Sequence, residues 1–149
     1  MKRHESFIPL SREHHQGLLL AQLLKKDAPL YKGLPENVED KIKYAINFFE
    51  SELKHHFVLE ERIFNLVRPI NGTIEYLIIE LIDEHRILGA MFTSLVEAKN
   101  KLEKMNSLAE LLTSHIRKEE RVLFPLLETN CTNDQFIKID QLLLEKTEK

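Results

Sequence analysis

The chain has 149 residues, of which 43% are apolar and 30% charged, a composition typical of a globular domain with a sizeable core. The net charge of −3 gives no electrostatic case for binding nucleic acid or an anionic membrane surface. No apolar run approaches the roughly 18 residues of a membrane span, and the opening residues lack the hydrophobic region of a secretory signal. A single cysteine, Cys131, excludes a disulfide framework, so we expect a cytoplasmic protein.

Proline, glycine and polar residues divide the first half of the chain into two helices. Residues 1–10 are predicted to be a lead-in, after which Ser11 is a candidate N-cap for a first helix over about residues 12–28. A loop with two prolines and a glycine then leads to a second helix over about residues 36–67, which is expected to stop before Pro69. The two helices are therefore predicted to form a hairpin.

The second half of the chain is predicted to repeat this arrangement. A turn around Asn71 precedes a third helix, which runs from Thr73 to about residues 98–103. A fourth helix is expected from about residues 101–107 to about residues 124–128, where a proline lies near its end.

These elements predict an all-α protein. Short connections between long amphipathic helices place consecutive helices antiparallel. We therefore expect one domain over residues 1–149, built as an up-down-up-down four-helix bundle over about residues 8–128. A short C-terminal helix over about residues 133–146 is expected to pack on the outside of the bundle.

The pattern His-x-x-x-Glu-Glu-Arg occurs twice, once from His56 and once from His115. Residues four apart lie one above the other on the same face of a helix. Each motif can therefore direct an imidazole and a carboxylate, from Glu60 or from Glu119, towards the same point.

A helical wheel places these motifs on the apolar stripes of their helices. Glu60 and Glu119 are predicted to face the core, together with Val122, whereas Glu61 and Glu120 are predicted to face water. One inward glutamate with a histidine is compatible with a buried hydrogen-bonded pair. Because a buried carboxylate is costly without compensation, two copies on the core stripe instead indicate a shared cation.

Two further histidines, His14 and His85, lie on apolar stripes and each follows a glutamate, which indicates an internal duplication of one helical hairpin. Residues of antiparallel helices lie at equal height when they are equidistant from the turn between them. The midpoints between successive histidines fall in the predicted turns, the last of them at Asn100, although Asn106 and Ser107 are a stronger cap signal. We therefore predict that all four histidines share one layer of the bundle.

This layer would contain four imidazoles and two carboxylates, from His14, His56, Glu60, His85, His115 and Glu119. Such donors suit a first-row transition metal better than calcium or magnesium, which prefer oxygen ligands. Six donors are too many for one tetrahedral zinc. They suit two metal ions, each with two histidines, that share two bridging carboxylates. The coordination positions that remain open predict binding of a small molecule.

The donors lie in four segments, Leu-Ser-Arg-Glu-His-His, His-His-Phe-Val-Leu-Glu-Glu-Arg, Asp-Glu-His-Arg and Ser-His-Ile-Arg-Lys-Glu-Glu-Arg-Val-Leu-Phe-Pro. As a set, these segments resemble the hemerythrin-like family, also called the HHE cation-binding domain, over about residues 8–128. The resemblance implies a non-haem di-iron centre with an oxo or hydroxo bridge. In that centre His14 and His56 would serve one iron, His85 and His115 the other, and Glu60 and Glu119 would bridge the two ions.

By this resemblance the protein would bind O2 or a related small molecule for sensing, storage or scavenging. The alternatives are a di-iron redox enzyme acting on peroxide or nitric oxide, and a metal-binding interaction bundle. The oligomeric state is not specified by the sequence.

One departure from the family pattern bears on this expectation. Oxygen-carrying hemerythrins have five histidines, two of them four residues apart on the third helix. Here the positions four away from His85 are Leu81 and Gly89, neither of which can bind a metal. We therefore expect water or a nearby carboxylate, such as Glu84, to complete the coordination of one iron, and this argues against stable, reversible oxygen carriage.

Overall fold

A computed structural model of the chain describes residues 2–148, with side-chain environments described up to residue 145. Within that range the secondary structure is helical and contains no strand. The helices are α1 (Ile8–Leu24), α2 (Val38–Phe48, a π-helical turn Phe49–Leu53, then Lys54–Val67), α3 (Gly72–Ser94), α4 (Lys101–Lys118, a π-helical turn Glu119–Leu123, then Phe124–Asn130) and α5 (Asn133–Glu148). Short 3-10 turns cover Glu5–Phe7, Arg68–Ile70 and Leu95–Glu97. The prediction of an all-α bundle with a short C-terminal helix is confirmed.

The core of the bundle consists of two apolar clusters. One cluster includes Leu20, Phe49 and Leu112, and the other includes Leu10 and Phe64. Each of the helices α1 to α4 contributes to both clusters. His14 and His85 lie between the two contributions of their helices, and His56 and His115 lie one residue before the last residue of the first cluster on theirs. The predicted polar layer therefore lies between two layers of buried apolar side chains.

The start of α1 differs from the prediction. Ser11 is not an N-cap, because α1 already begins at Ile8, with Pro9 in its first turn. Proline is favourable there, since the first backbone N–H groups of a helix have no intrahelical partner. The Ser11 hydroxyl instead donates to the carboxylate of Glu120 on α4, at 2.8 and 2.9 Å from its two oxygens.

The start of α4 decides whether the histidines share a layer. The helix begins at Lys101, where the side-chain oxygen of Asn100 accepts a hydrogen bond from the backbone N–H of Glu103 at 3.2 Å. The alternative cap at Asn106 lies inside the helix. The turn is therefore at the midpoint between His85 and His115, as equal height requires.

The π-helical turn in α4 changes the face of the residues that follow it. A π-helical turn contains an extra residue, and the regular helical wheel is therefore out of register beyond Glu119. The wheel was wrong at Val122, which is 46% exposed, whereas Phe124 and Leu127 are buried. Because of this turn, the core next to the polar layer contains apolar side chains that a regular wheel places on other faces of the helix.

The C-terminal helix packs on the outside of the bundle, as predicted. Ile139 is fully buried there, and the ring of Phe136 stacks on His4 with centroids 3.9 Å apart. No helix in the described range is long and apolar enough to cross a lipid bilayer.

Candidate metal centre

The six predicted donors converge in the middle of the bundle, and each is at most 4% exposed. Their ligand atoms form two groups, and within each group the atoms lie within 4.8 Å of one another. The first group is His14, His56, Glu60 and Glu119, and the second is Glu60, His85, His115 and Glu119. Because both carboxylates belong to both groups, the layer contains two adjoining groups of candidate metal ligands that share their glutamates.

The imidazoles direct their Nε2 atoms towards the two central carboxylates. On one side, His14 Nε2 lies 3.0 Å from Glu60 Oε2 and 2.8 Å from Glu119 Oε2, and His56 Nε2 lies 3.1 Å from Glu60 Oε1. On the other side, His85 Nε2 lies 3.2 Å from Glu60 Oε1, and His115 Nε2 lies 2.7 Å from Glu119 Oε1. The four Nε2 atoms therefore meet at one place.

Several of these inward atoms are buried and make no hydrogen bond with acceptable geometry among the described residues, although imidazole nitrogens and carboxylate oxygens lie as close as 2.7 Å. They are Glu60 Oε1, both carboxylate oxygens of Glu119, and the Nε2 atoms of His85 and His115. A buried polar atom without a partner costs about 1–3 kcal/mol, and native proteins contain few of them. Clustered nitrogen and carboxylate lone pairs are the donors that a transition-metal ion requires, so the residues present fit such an ion.

The outer nitrogen of every histidine in the layer is held by a second glutamate. These pairs are His14 with Glu120 at 2.5 Å, His56 with Glu13 at 2.9 Å, His85 with Glu61 at 3.0 Å and His115 with Glu84 at 2.8 Å. An ionised carboxylate only accepts hydrogen bonds, so Nδ1 is the donor in each pair. With Nδ1 protonated, a neutral imidazole keeps its Nε2 lone pair directed inward.

These four glutamates form a ring around the layer. Each of the helices α1, α2 and α3 supplies the carboxylate that binds the histidine of the next helix, and α4 closes the ring onto α1. The two halves of the ring correspond under the internal duplication of the sequence. The histidine orientations are thus set by contacts between helices, so correct packing of the bundle also aligns the donors.

The structure departs from the predictions about individual glutamates. Glu61 and Glu120 were predicted to face water, but both reach sideways to a histidine of the neighbouring helix. Glu84 was named, as an alternative to water, as a group that could complete the coordination of one iron; its Oε1 accepts from His115 and its Oε2 binds the ammonium group of Lys118 at 2.6 Å. The sequence signal for the ring was present, since each of its members directly adjoins an inward donor.

Two glutamates of the ring, Glu84 and Glu120, also lie next to a positively charged side chain. Glu120 accepts from the Ser11 hydroxyl and lies 3.5 Å from the Arg3 guanidinium. Burial tends to raise the pKa of Glu84, but hydrogen bonds from His115 and Lys118 outweigh it and lower that pKa. Both carboxylates are therefore held in place, and the lowered pKa of Glu84 favours its ionised form.

Attraction between the histidines and the carboxylates of the layer shifts their pKa values in opposite directions. Burial by itself would lower the pKa of His14, but the negative charge of Glu119 and hydrogen bonds to carboxylates raise it well above its usual value. The same balance raises the pKa values of the other histidines of the layer, His56, His85 and His115. Burial and the nearby Glu60 raise the pKa of Glu119, but the histidines outweigh them and hold it at about 2. The layer therefore requires positive charge at its centre, supplied by protons or by metal ions.

Aromatic rings cover the imidazoles. Phe57 stacks on His85 with centroids 4.0 Å apart, and Phe124 stacks on His14 at 5.7 Å. These rings exclude water from the layer and lower its effective dielectric constant, which strengthens the electrostatic interactions inside it.

The two positions four residues from His85, where oxygen carriers would have their additional histidine, are occupied by Leu81 and Gly89. Leu81 is fully buried. A Cβ atom at Gly89 would lie 3.5 Å from Cζ of Phe49, an ordinary van der Waals distance. Neither position brings a donor to the layer, in agreement with the sequence.

Helical bundles with groups of histidines and shared glutamates in their core form a class of cation-binding proteins, and the fold and site described above place the chain in this class. The family model described as "Hemerythrin HHE cation binding domain" matches residues 6–127. The chain therefore belongs to the hemerythrin family of HHE cation-binding domains. No match was found among curated proteins or among solved structures.

Proposed function

We propose that this protein binds two iron ions in the polar layer of the bundle. His14 and His56 would hold one ion, His85 and His115 the other, and Glu60 and Glu119 would bridge them. This assignment is supported by the mutual distances of the ligand atoms, which lie within 4.8 Å of one another in each of the two groups. The observation that carries this proposal is the convergence of buried Nε2 and carboxylate atoms, several of which make no hydrogen bond with acceptable geometry. Mixed imidazole and carboxylate donors are well suited to iron.

The bound ions serve, in this proposal, to bind O2 or a related small molecule for sensing, storage or scavenging. Each group offers four protein donors, which leaves open positions on an ion that accepts six. The iron would supply an open coordination position and a change of oxidation state. The protein holds the imidazoles through the ring of glutamates and keeps water away with the rings of Phe57 and Phe124.

The proposal is tested by reconstitution. The purified chain is loaded with Fe²⁺ under argon, freed of unbound metal and assayed for iron per chain. Optical spectra are then recorded before and after addition of O2, and separately of nitric oxide. We expect about two irons per chain and new near-ultraviolet and visible absorption in air. Iron-supplied protein that retains no metal, or that retains it with spectra unaffected by either gas, would refute the proposal.

A further inference from the structure

Two cationic side chains border the ring of glutamates, one beside each group of candidate ligands. Arg3 contacts the glutamate that holds His14 of the first group. Lys118 contacts the glutamate that holds His115 of the second group. In both cases the order from the surface to the layer is cation, carboxylate, imidazole.

The guanidinium of Arg3 fixes Glu120 from two directions. One of its terminal nitrogens donates to the backbone carbonyl of Glu120 at 2.6 Å, and its Nε lies 3.5 Å from the side-chain Oε1. The other terminal nitrogen donates to the carboxylate of Glu128 at 3.1 Å. The guanidinium also lies over the ring of Phe124, 5.4 Å from its centroid, and this ring stacks on His14. Arg3 therefore contacts both a carboxylate and an aromatic ring that adjoin this imidazole.

The ammonium group of Lys118 forms a chain of the same kind. It donates to Oε2 of Glu84 at 2.6 Å, while Oε1 of the same carboxylate accepts from Nδ1 of His115 at 2.8 Å. Lys118 also contacts Glu80. The side chain of Glu84 is only 14% exposed, and partly buried charge pairs are screened less than exposed ones. Each cation thus orients a carboxylate that in turn orients an imidazole.

These cations change what each imidazole offers to a bound ion. A carboxylate that accepts from Nδ1 attracts its proton, which makes the imidazole a stronger donor through Nε2. A cation on the same carboxylate withdraws part of that negative charge, so the proton stays on Nδ1 and the imidazole remains neutral. A positive charge outside the ligands also favours the oxidation state of lower charge, since like charges repel. Both effects favour ferrous over ferric iron.

We propose that Arg3 and Lys118 are positioning residues of the metal centre, one for each group of ligands. Each acts through a glutamate: it fixes the direction of one histidine and raises the reduction potential of the bound iron. This inference rests on the proposed function, because it presumes that the layer holds iron. It also gives the segment before α1, which the sequence predicts to be only a lead-in, a role at the centre.

The first test measures the midpoint potential of the iron-loaded full chain by equilibrium titration with redox mediators. Arg3→Gln and Lys118→Gln each remove a charge beside the ring but keep a hydrogen-bond donor. The matched controls, Arg68→Gln and Lys54→Gln, remove the same charges from ion pairs on the surface. We expect each ring variant to raise the ratio of ferric to ferrous iron at a fixed potential roughly fivefold, the effect of one unit charge acting through a partly exposed carboxylate. The controls should leave this ratio unchanged.

Charge-conserving variants separate the effect of charge from a loss of packing. Arg3→Lys and Lys118→Arg should restore the potential of the parent. A second measurement uses the metal-free chain, in which the Nδ1 protons of the histidines are followed by nitrogen–proton NMR. Their exchange with water should become faster at His14 in Arg3→Gln and at His115 in Lys118→Gln, each without effect on the other histidine.

The possible results distinguish the positioning role from the proposed function. Potentials and exchange rates equal to those of the matched controls would overturn the positioning role while leaving the centre intact. Potentials lowered as much by the charge-conserving variants would also overturn it, because packing rather than charge would then be responsible. A parent chain that retains no iron would remove the proposed function, and the positioning role with it.

Discussion

Removing the carboxylate of Glu120 tests whether the ring of glutamates aligns the histidines. In Glu120→Ala, Nδ1 of His14 loses the partner that lies 2.5 Å away, although the imidazole is only 3% exposed. The Ser11 hydroxyl loses its acceptor as well. Loss of such an outer partner typically weakens metal binding 10–100-fold, which corresponds to about 1.4–2.7 kcal/mol. The unpaired Nδ1 should also destabilise the metal-free protein by about 1–3 kcal/mol.

The charge and the hydrogen bond can be separated with a second substitution. Glu120→Gln keeps an oxygen acceptor for the imidazole but removes the negative charge, so we expect a loss of metal affinity near the lower end of that range. Glu110→Ala and Glu110→Gln are matched controls on the same helix, because the one side-chain hydrogen bond of Glu110 within the described residues is from Asn106 at the surface.

Affinity is measured by competition with a chelator of known affinity, and stability by denaturant unfolding of the metal-free chain. The expected order of affinity is parent, Glu120→Gln, Glu120→Ala, with both Glu110 variants equal to the parent. Alignment by the ring would be refuted if Glu120→Ala bound metal within twofold of the parent, or if Glu110→Ala lost as much affinity.

Further predictions concern metal removal, buried charge and pH. Because metal binds only the native state, chelation should lower the melting temperature by about 5–10 °C relative to protein at a free metal concentration 100 times the dissociation constant, as scanning calorimetry can measure. Replacing both Glu60 and Glu119 by Leu should abolish metal uptake, measured as metal per chain, and should destabilise the metal-free protein, since it leaves the buried histidines without the carboxylates that raise their pKa values; retained metal would contradict the bridging role. Metal must displace protons from histidines whose pKa values lie above the ordinary 6.5, so affinity should rise as the pH is raised through those values. Titration calorimetry in buffers of different ionisation heat should detect the released protons. For the metal-free protein the sign is opposite: the stability contributed by the raised histidine pKa values is full below about 6.5 and is lost as the pH rises through them, while the contribution of Glu119 is lost as the pH falls towards about 2.

The inward donors were predictable because their geometry follows from local rules. A spacing of four residues places His56 and Glu60 on one face whatever the rest of the fold does. Equal distance from a turn places histidines of antiparallel helices at one height, given a rise of about 1.5 Å per residue. The structure places these donors together through the same two rules, with Asn100 as the cap that makes the third interval symmetric.

The outer glutamates were not predictable from the wheel because they depend on distances between helices. A wheel assigns Glu61 a direction from its own helix axis, but this long side chain extends sideways to His85 of α3. The π-helical turns were missed for another reason, since one extra residue in a turn changes no local composition signal. Val122 therefore came to lie on the exposed face.

The two halves of the molecule are alike in their inner donors and unlike in what surrounds them. Imidazoles and shared carboxylates repeat under the duplication, so the class of ion that the layer suits is the same on both sides. The outer contacts do not repeat: Lys118 binds Glu84 in one half, whereas Glu13 borders a cavity between α1 and α2 in the other. Because the inner donors repeat and the outer contacts do not, the inner donors are sufficient to indicate the family, and differences between the two halves are expected from substitutions of the outer residues.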